Sequence, residues 1–237
     1  MAVVAGVDGC RTGWFVVLTD TACPEDLRWK RVDRFSEVLC GADAPQIIAI
    51  DVPIGLLSAA RRGSRTCDQK ARATLRAPRA SSVFPPPVRG AINQRDYAAA
   101  CAANRASSPA NIGISSQCFG IVPKIREIDD LMSPELEDRV WEIHPELCFW
   151  KMAGGHPMRH NKSKSAGREE RLACLVAHGL TAITNAFGER PSGVQKDDIL
   201  DAAAACWTAL RIHAGEAKGI SGAEERDDKG LRMEMWV

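Results

Sequence analysis

The stretch VVAGVDGCRTGWFVVLT, residues 3–19, holds two apolar runs around one tight polar turn. Val3 to Val7 is unbroken and ends on a single carboxylate, Asp8. An apolar run of this kind predicts a strand buried on both faces. Gly9 and Gly13 give the turn its backbone freedom, and Trp14 to Leu18 leads away as a second, β-rich run. Together they predict a hairpin of strands 3–8 and 14–19. Aspartate is depleted in strands and costly to bury alone, so Asp8 requires a compensating cation or helix N-terminus.

A second stretch repeats the pattern. IIAIDVPIGL, residues 47–56, ends its apolar run on Asp51, and Pro53 stops the strand. If the two strands are adjacent and parallel, Asp8 and Asp51 meet at one edge of the sheet.

Composition narrows the class. With 45% hydrophobic and 26% charged residues, the 237-residue chain is an ordinary globular one. A single domain, residues 1–237, is expected, with a basic insertion or lid at about 57–135. No apolar stretch approaches ~20 residues, so no membrane partner is expected. No basic segment precedes the first apolar run, and a cytoplasmic location is expected. The nine cysteines form no C-x-x-C pair, which argues against a structural zinc site. Cys101, Cys174 and Cys206 lie in helical stretches as small apolar residues, and Cys10 reads as a turn residue. The net charge of +1 hides an asymmetry: Arg61 to Arg105 carries +8 and the remainder −7. Such a segment either collects phosphates or is a solvated face.

Outward from the hairpin, residues 27–32 suggest an edge strand and residues 36–39 a short helix ended by Gly41. Thr66 and Gln69 suggest a capping box for a helix to about Leu75. The proline-rich residues 77–93 predict an ordered loop, residues 94–103 a helix, and Ser115 or Ser116 starts another running to Met132, kinked or restarted at Pro123. RVWEIH, residues 139–144, returns to strand, closed by Pro145. Helices are expected at 165–178 and 197–214, each closed by a glycine, with a short edge strand at 231–236.

Carboxylates then stand at the ends of four elements: Asp8, Asp51, Glu146, and Asp198 with Asp201, three apart on one helix face. Asp197 and Asp198, in a first helical turn, also satisfy the helix dipole. Gathered carboxylates raise one another's pKa and stay ionised together only around cations. Hard oxygen donors suit Mg²⁺ or Mn²⁺, and two such ions can drive phosphodiester hydrolysis. His144 reads as a satisfied core histidine or as a donor behind the acids.

The phrases GVDGCRTGW, IAIDVPIGL, CDQKAR, SSVFPPPVRGA, SSQCFGIVPKIREID, WEIHPELCFW and KDDILDAAAACWTA, in this order, resemble the domain of unknown function family 429. That family is described as a predicted nuclease of ribonuclease H-like fold. The resemblance implies an α/β fold: a mixed five-stranded sheet of order 3-2-1-4-5, strand 2 antiparallel, with helices on both faces. It implies acids from the first strand, the fourth strand and a C-terminal helix, which Asp8, Asp51 and Asp198/Asp201 match. Such nucleases commonly carry glutamate on the fourth strand; the shorter Asp51 departs from them.

The expectation is a Mg²⁺- or Mn²⁺-dependent nuclease acting on DNA or RNA. Asp8, Asp51, Asp198 and Asp201 are its candidate metal ligands, joined by Glu146 as candidate catalytic residues. Lys124, Arg126, Arg79 and Arg89 are candidate phosphate contacts. Few aromatics (5%) argue against a stacking platform for single strands. Two alternatives stand beside it: an actin- or sugar-kinase-like phosphotransferase or phosphohydrolase, and a non-catalytic nucleic-acid-binding protein on the same fold.

Overall fold

The computed structural model covers residues 1–237. Five strands form one sheet: β1 (Val3–Cys10), β2 (Gly13–Asp20), β3 (Cys23–Val32), β4 (Ile47–Ile50) and β5 (Val140–Glu142), in the order β3-β2-β1-β4-β5. β2 runs antiparallel to β1 and β3, while β4 is parallel to both β1 and β5. This is the order and direction that the resemblance implies. β3 starts four residues earlier than its apolar pattern suggests, because Cys23 still pairs with Asp20 across a register shift.

Ten helices surround the sheet. They are α1 (Ser36–Cys40), α2 (Thr66–Arg79, interrupted at Arg76 and Ala77), α3 (Arg89–Ile92), α4 (Tyr97–Ala106), α5 (Ser116–Gly120), α6 (Val122–Leu131), α7 (Pro145–Met152), α8 (Ser165–Ala177), α9 (Ile183–Gly188) and α10 (Lys196–His213). None is long and apolar enough to cross a membrane.

Strand alternation divides the core into two layers. Ala5, Val7, Val16, Ile48 and Ile50 face α1 and α6, packing on Val38, Ile125 and Ile128. Thus α6, at the end of the segment read as an insertion, belongs to a sheet layer. Val4, Phe15, Val17 and Ala49 face the other way, onto the alanine run of α10. Gly6 lies on that face too. A Cβ there would stand 2.0 Å from Cys206 N and 2.2 Å from Ala202 O, so α10 lies directly on the β1 backbone. Smaller clusters gather the 57–119 elements around Ala91 and Ile114, and α2 against the C-terminal residues Met235 and Val237.

Three local expectations are corrected. The α2 capping box joins Arg65 and Asp68, not Thr66 and Gln69, with Asp68 Oδ2 accepting Arg65 N–H at 3.0 Å. Pro145 does more than end a strand: it opens α7, where a missing N–H costs nothing. The tail at 231–236 makes isolated bridges only, among them Ile143 with Trp236.

Candidate functional site

Alternation and register bring the acids together. Asp8 follows Gly6 by two residues and so faces α10; Asp51 follows Ala49 by two and shares that face. The parallel ladder pairs Val7 with Ile50, and Asp51 N donates to Val7 O at 3.1 Å, which sets Asp51 beside Asp8. Ala202 of α10 touches Gly6, so Asp201 and Asp198, earlier in that helix, come to the same strand ends. Glu146 joins from the first turn of α7.

The electrostatics follow from this crowding. Burial, then the charges of Asp51 and Asp201, push the Asp8 carboxyl well above the usual carboxylate range. Asp51 is pushed up to about 7, first by burial and then by Asp201. Asp198 rises to about 6, mainly through burial, although Gln195 N–H donates to it at 2.7 Å. One cation answers this charge. Lys162 Nζ donates to Asp201 Oδ2 at 2.6 Å, and Asp201 is the main cause of its raised pKa. The Lys162 side chain is 42% exposed, whereas the Asp201 carboxylate it meets is buried.

Behind the acids, the fully buried Arg171 donates to Glu146 Oε1. His144 Nδ1 accepts Glu146 N–H at 3.2 Å, which leaves Nε2 to donate to Ser82 O at 3.3 Å. Burial lowers its pKa, so it stands as a neutral helix cap.

No three His, Cys, Asp or Glu side chains converge at metal-holding distance. The donor set still suits a hard cation. Asp201 Oδ1 and Glu146 Oε2 are buried without a hydrogen-bond partner, and the gathered carboxylates outnumber Lys162. Asp8, Asp51 and Asp201, with Asp198 at the rim, are the side chains that would hold Mg²⁺ or Mn²⁺.

The basic candidates are placed differently. Lys124 Nζ donates to Gly13 O and lies 4.2 Å from the Trp14 ring centroid, near enough to Asp8 to feel its charge. Arg126 donates to Ile92 O at 2.9 Å. Arg89 is paired with Asp129 at 3.0 Å and with Asp227. Arg79 is half-buried at the end of α2, its Nε unpartnered. The proline-rich motif lines a cavity of about 370 Å³ with Phe84, Pro86, Arg61, Asn104 and Gln117.

Three groups escaped the sequence pattern. Lys162 sits in a polar lysine- and serine-rich loop where nothing marks it. Arg171 looks like one more charged position of an amphipathic helix. Glu142, alternating with Val140 in β5, is buried against Arg65 at 2.6 Å, with Asp68 also on that guanidinium at 2.8 Å. The period-2 alternation of RVWEIH was the one signal that could have found Glu142.

A five-stranded mixed sheet with acids gathered at the adjoining ends of β1 and β4 and on a packed helix defines the class. A family model described as protein of unknown function (DUF429) matches residues 6–226, and the chain belongs to that family. No curated protein and no solved structure gives a significant match.

Proposed function

We propose that this protein is a divalent-metal-dependent hydrolase of phosphodiester bonds in nucleic acid, on a ribonuclease H-like sheet. The observation that carries the reading is that Asp8, Asp51, Asp198 and Asp201, from two adjacent strands and α10, lie near enough for their charges to raise the Asp8 carboxyl, with one buried oxygen of Asp201 unpartnered. Bound Mg²⁺ or Mn²⁺ would supply a Lewis acid and a nucleophilic water near neutral pH. Asp8 and Asp51, on neighbouring strands, are the fixed part of the site. Lys162 holds Asp201 by Oδ2, which leaves its unpartnered Oδ1 free to take the cation. Glu146, oriented by Arg171 and the His144 cap, would accept a proton from the attacking water at its unpartnered Oε2.

Wild type and Asp8→Asn are compared on end-labelled DNA and RNA with Mn²⁺. Cleavage by wild type and its loss in the variant support the assignment; equal cleavage by both sinks it. A second reading, a non-catalytic nucleic-acid-binding protein, is favoured by one observation: Lys162 already supplies positive charge to Asp201. That protein would cut neither substrate yet still bind them.

A further inference from the structure

We propose that residues 159–168 form the surface that holds the phosphodiester backbone beside the carboxylate cluster. The proposal rests on the nucleic-acid reading above and assigns its substrate contacts to a segment that the sequence pattern did not single out.

The segment RHNKSKSAGR carries Arg159, Lys162, Lys164 and Arg168 and no acidic residue. Arg159 and Lys164 are exposed and Arg168 partly so; none of the three is in an ion pair, while Lys162 pairs with Asp201. This is a built loop. Glu170 accepts the N–H groups of Arg159 and His160 at 2.8 and 2.9 Å, which commits that carboxylate to backbone. Buried Arg171 donates to His160 O at 3.1 Å and Gly167 O at 2.8 Å, and its other end reaches Glu146 in the cluster. At Gly167 a Cβ would stand 2.0 Å from Asn161 O, so the two ends of the loop close directly on each other.

The alternative surface is the Arg61–Arg105 segment, and much of its charge is already spent inside the protein. Arg61, Arg65 and Arg89 are in ion pairs with Glu225, with Asp68 and Glu142, and with Asp129 and Asp227. Arg72 donates to the carbonyls of Gly63 and Val83. The loop at 159–168 differs in where it stands: Lys162 ties it to Asp201, beside the acids where a phosphodiester must arrive, with Arg159 and Lys164 exposed and outside any ion pair and Arg168 donating to Ser163 O at 2.7 Å. A polyanion lying along it would meet an unpaired charge on either side of the site.

The test is fluorescence anisotropy of a labelled DNA duplex and the matching single strand, against a salt series. Three proteins are compared: wild type, Arg159→Ala/Lys164→Ala, and Arg62→Ala/Lys70→Ala, which removes the same charge from exposed positions of the other segment. Single Lys164→Ala serves if the double variant melts early. Each lost phosphate contact reduces the log–log salt slope by about 0.9 on duplex, so the loop variant should lose about 2 in slope and about tenfold or more in affinity near physiological salt. The control should change by less than about threefold. Unchanged binding by the loop variant, or an equal loss in the control, overturns the proposal while leaving nucleic-acid binding intact. No binding by wild type overturns the underlying reading as well.

Discussion

Replacing Gly6 by alanine should damage both the fold and the acid cluster, and the structure says by how much. The added Cβ would lie 2.0 Å from Cys206 N, 2.2 Å from Ala202 O and 2.6 Å from Cys206 Cα, where ordinary contact begins at 3.4 Å. All three are backbone atoms, so no side chain can turn aside. The α10 helix must retreat by about 1.4 Å, and a gap of ~0.5–1 Å already forfeits a quarter to a half of a dispersion contact. Ala202 to Cys206 are all fully buried, so the loss runs along the helix face. Overpacking costs about 1–3 kcal/mol where neighbours can shift, and a backbone clash belongs at or above the top of that range. Urea unfolding followed by circular dichroism reads the effect. With an m-value of about 3 kcal/mol/M, a loss of about 3 kcal/mol lowers the midpoint by ~1 M. Gly9→Ala is the internal control, since its Cβ would meet only the flexible Lys124 chain at 3.6 Å. A Gly6→Ala midpoint within about 0.2 M of wild type, with unchanged m, would refute the close approach that carries Asp201 to Asp8.

Two further outcomes are expected. In metal-free protein the folded-state pKa of Asp51, about 7, lies above its unfolded value, so the unfolded chain binds fewer protons between the two. Stability should therefore fall as pH rises from about 4 to 7. Asp51→Asn should flatten that part of a melting-temperature-versus-pH curve, and an unchanged slope would contradict the burial argument. Arg65→Met leaves Glu142 and Asp68 buried without their cation and should cost about 3–5 kcal/mol in denaturant unfolding. A loss below about 1 kcal/mol would mean that this trio is more hydrated than its burial implies.

The outline of this fold is legible because its strands are apolar runs with sharp ends. Asp8 and Asp51 stand out for the same reason, each being the only charge at the close of such a run. Their adjacency is a matter of register between strands far apart in the chain, and no local pattern states it. Asp198 and Asp201 can be placed on one helix face by spacing alone, whereas what brings that face to β1 is the missing side chain of Gly6. Charged residues defeat sequence reasoning when they are buried in pairs. Arg65, Glu142 and Arg171 look like surface positions until their partners arrive from other elements. Lys162 is harder still, because a lysine among serines reads as solvent-exposed and its partner is 39 residues away. Helix α7 was hidden by Pro145, which closes a strand and opens a helix with equal ease.

The central claim, that these acids form a cation site, is tested most directly by titrating Mn²⁺ into metal-free wild type and Asp8→Asn in a calorimeter. Binding of one or two ions by wild type, and its loss in the variant with an unchanged melting temperature, is the predicted result. Absence of Mn²⁺ binding at millimolar concentration in a folded wild-type protein would contradict it, leaving Lys162 as the cation on which the cluster was built.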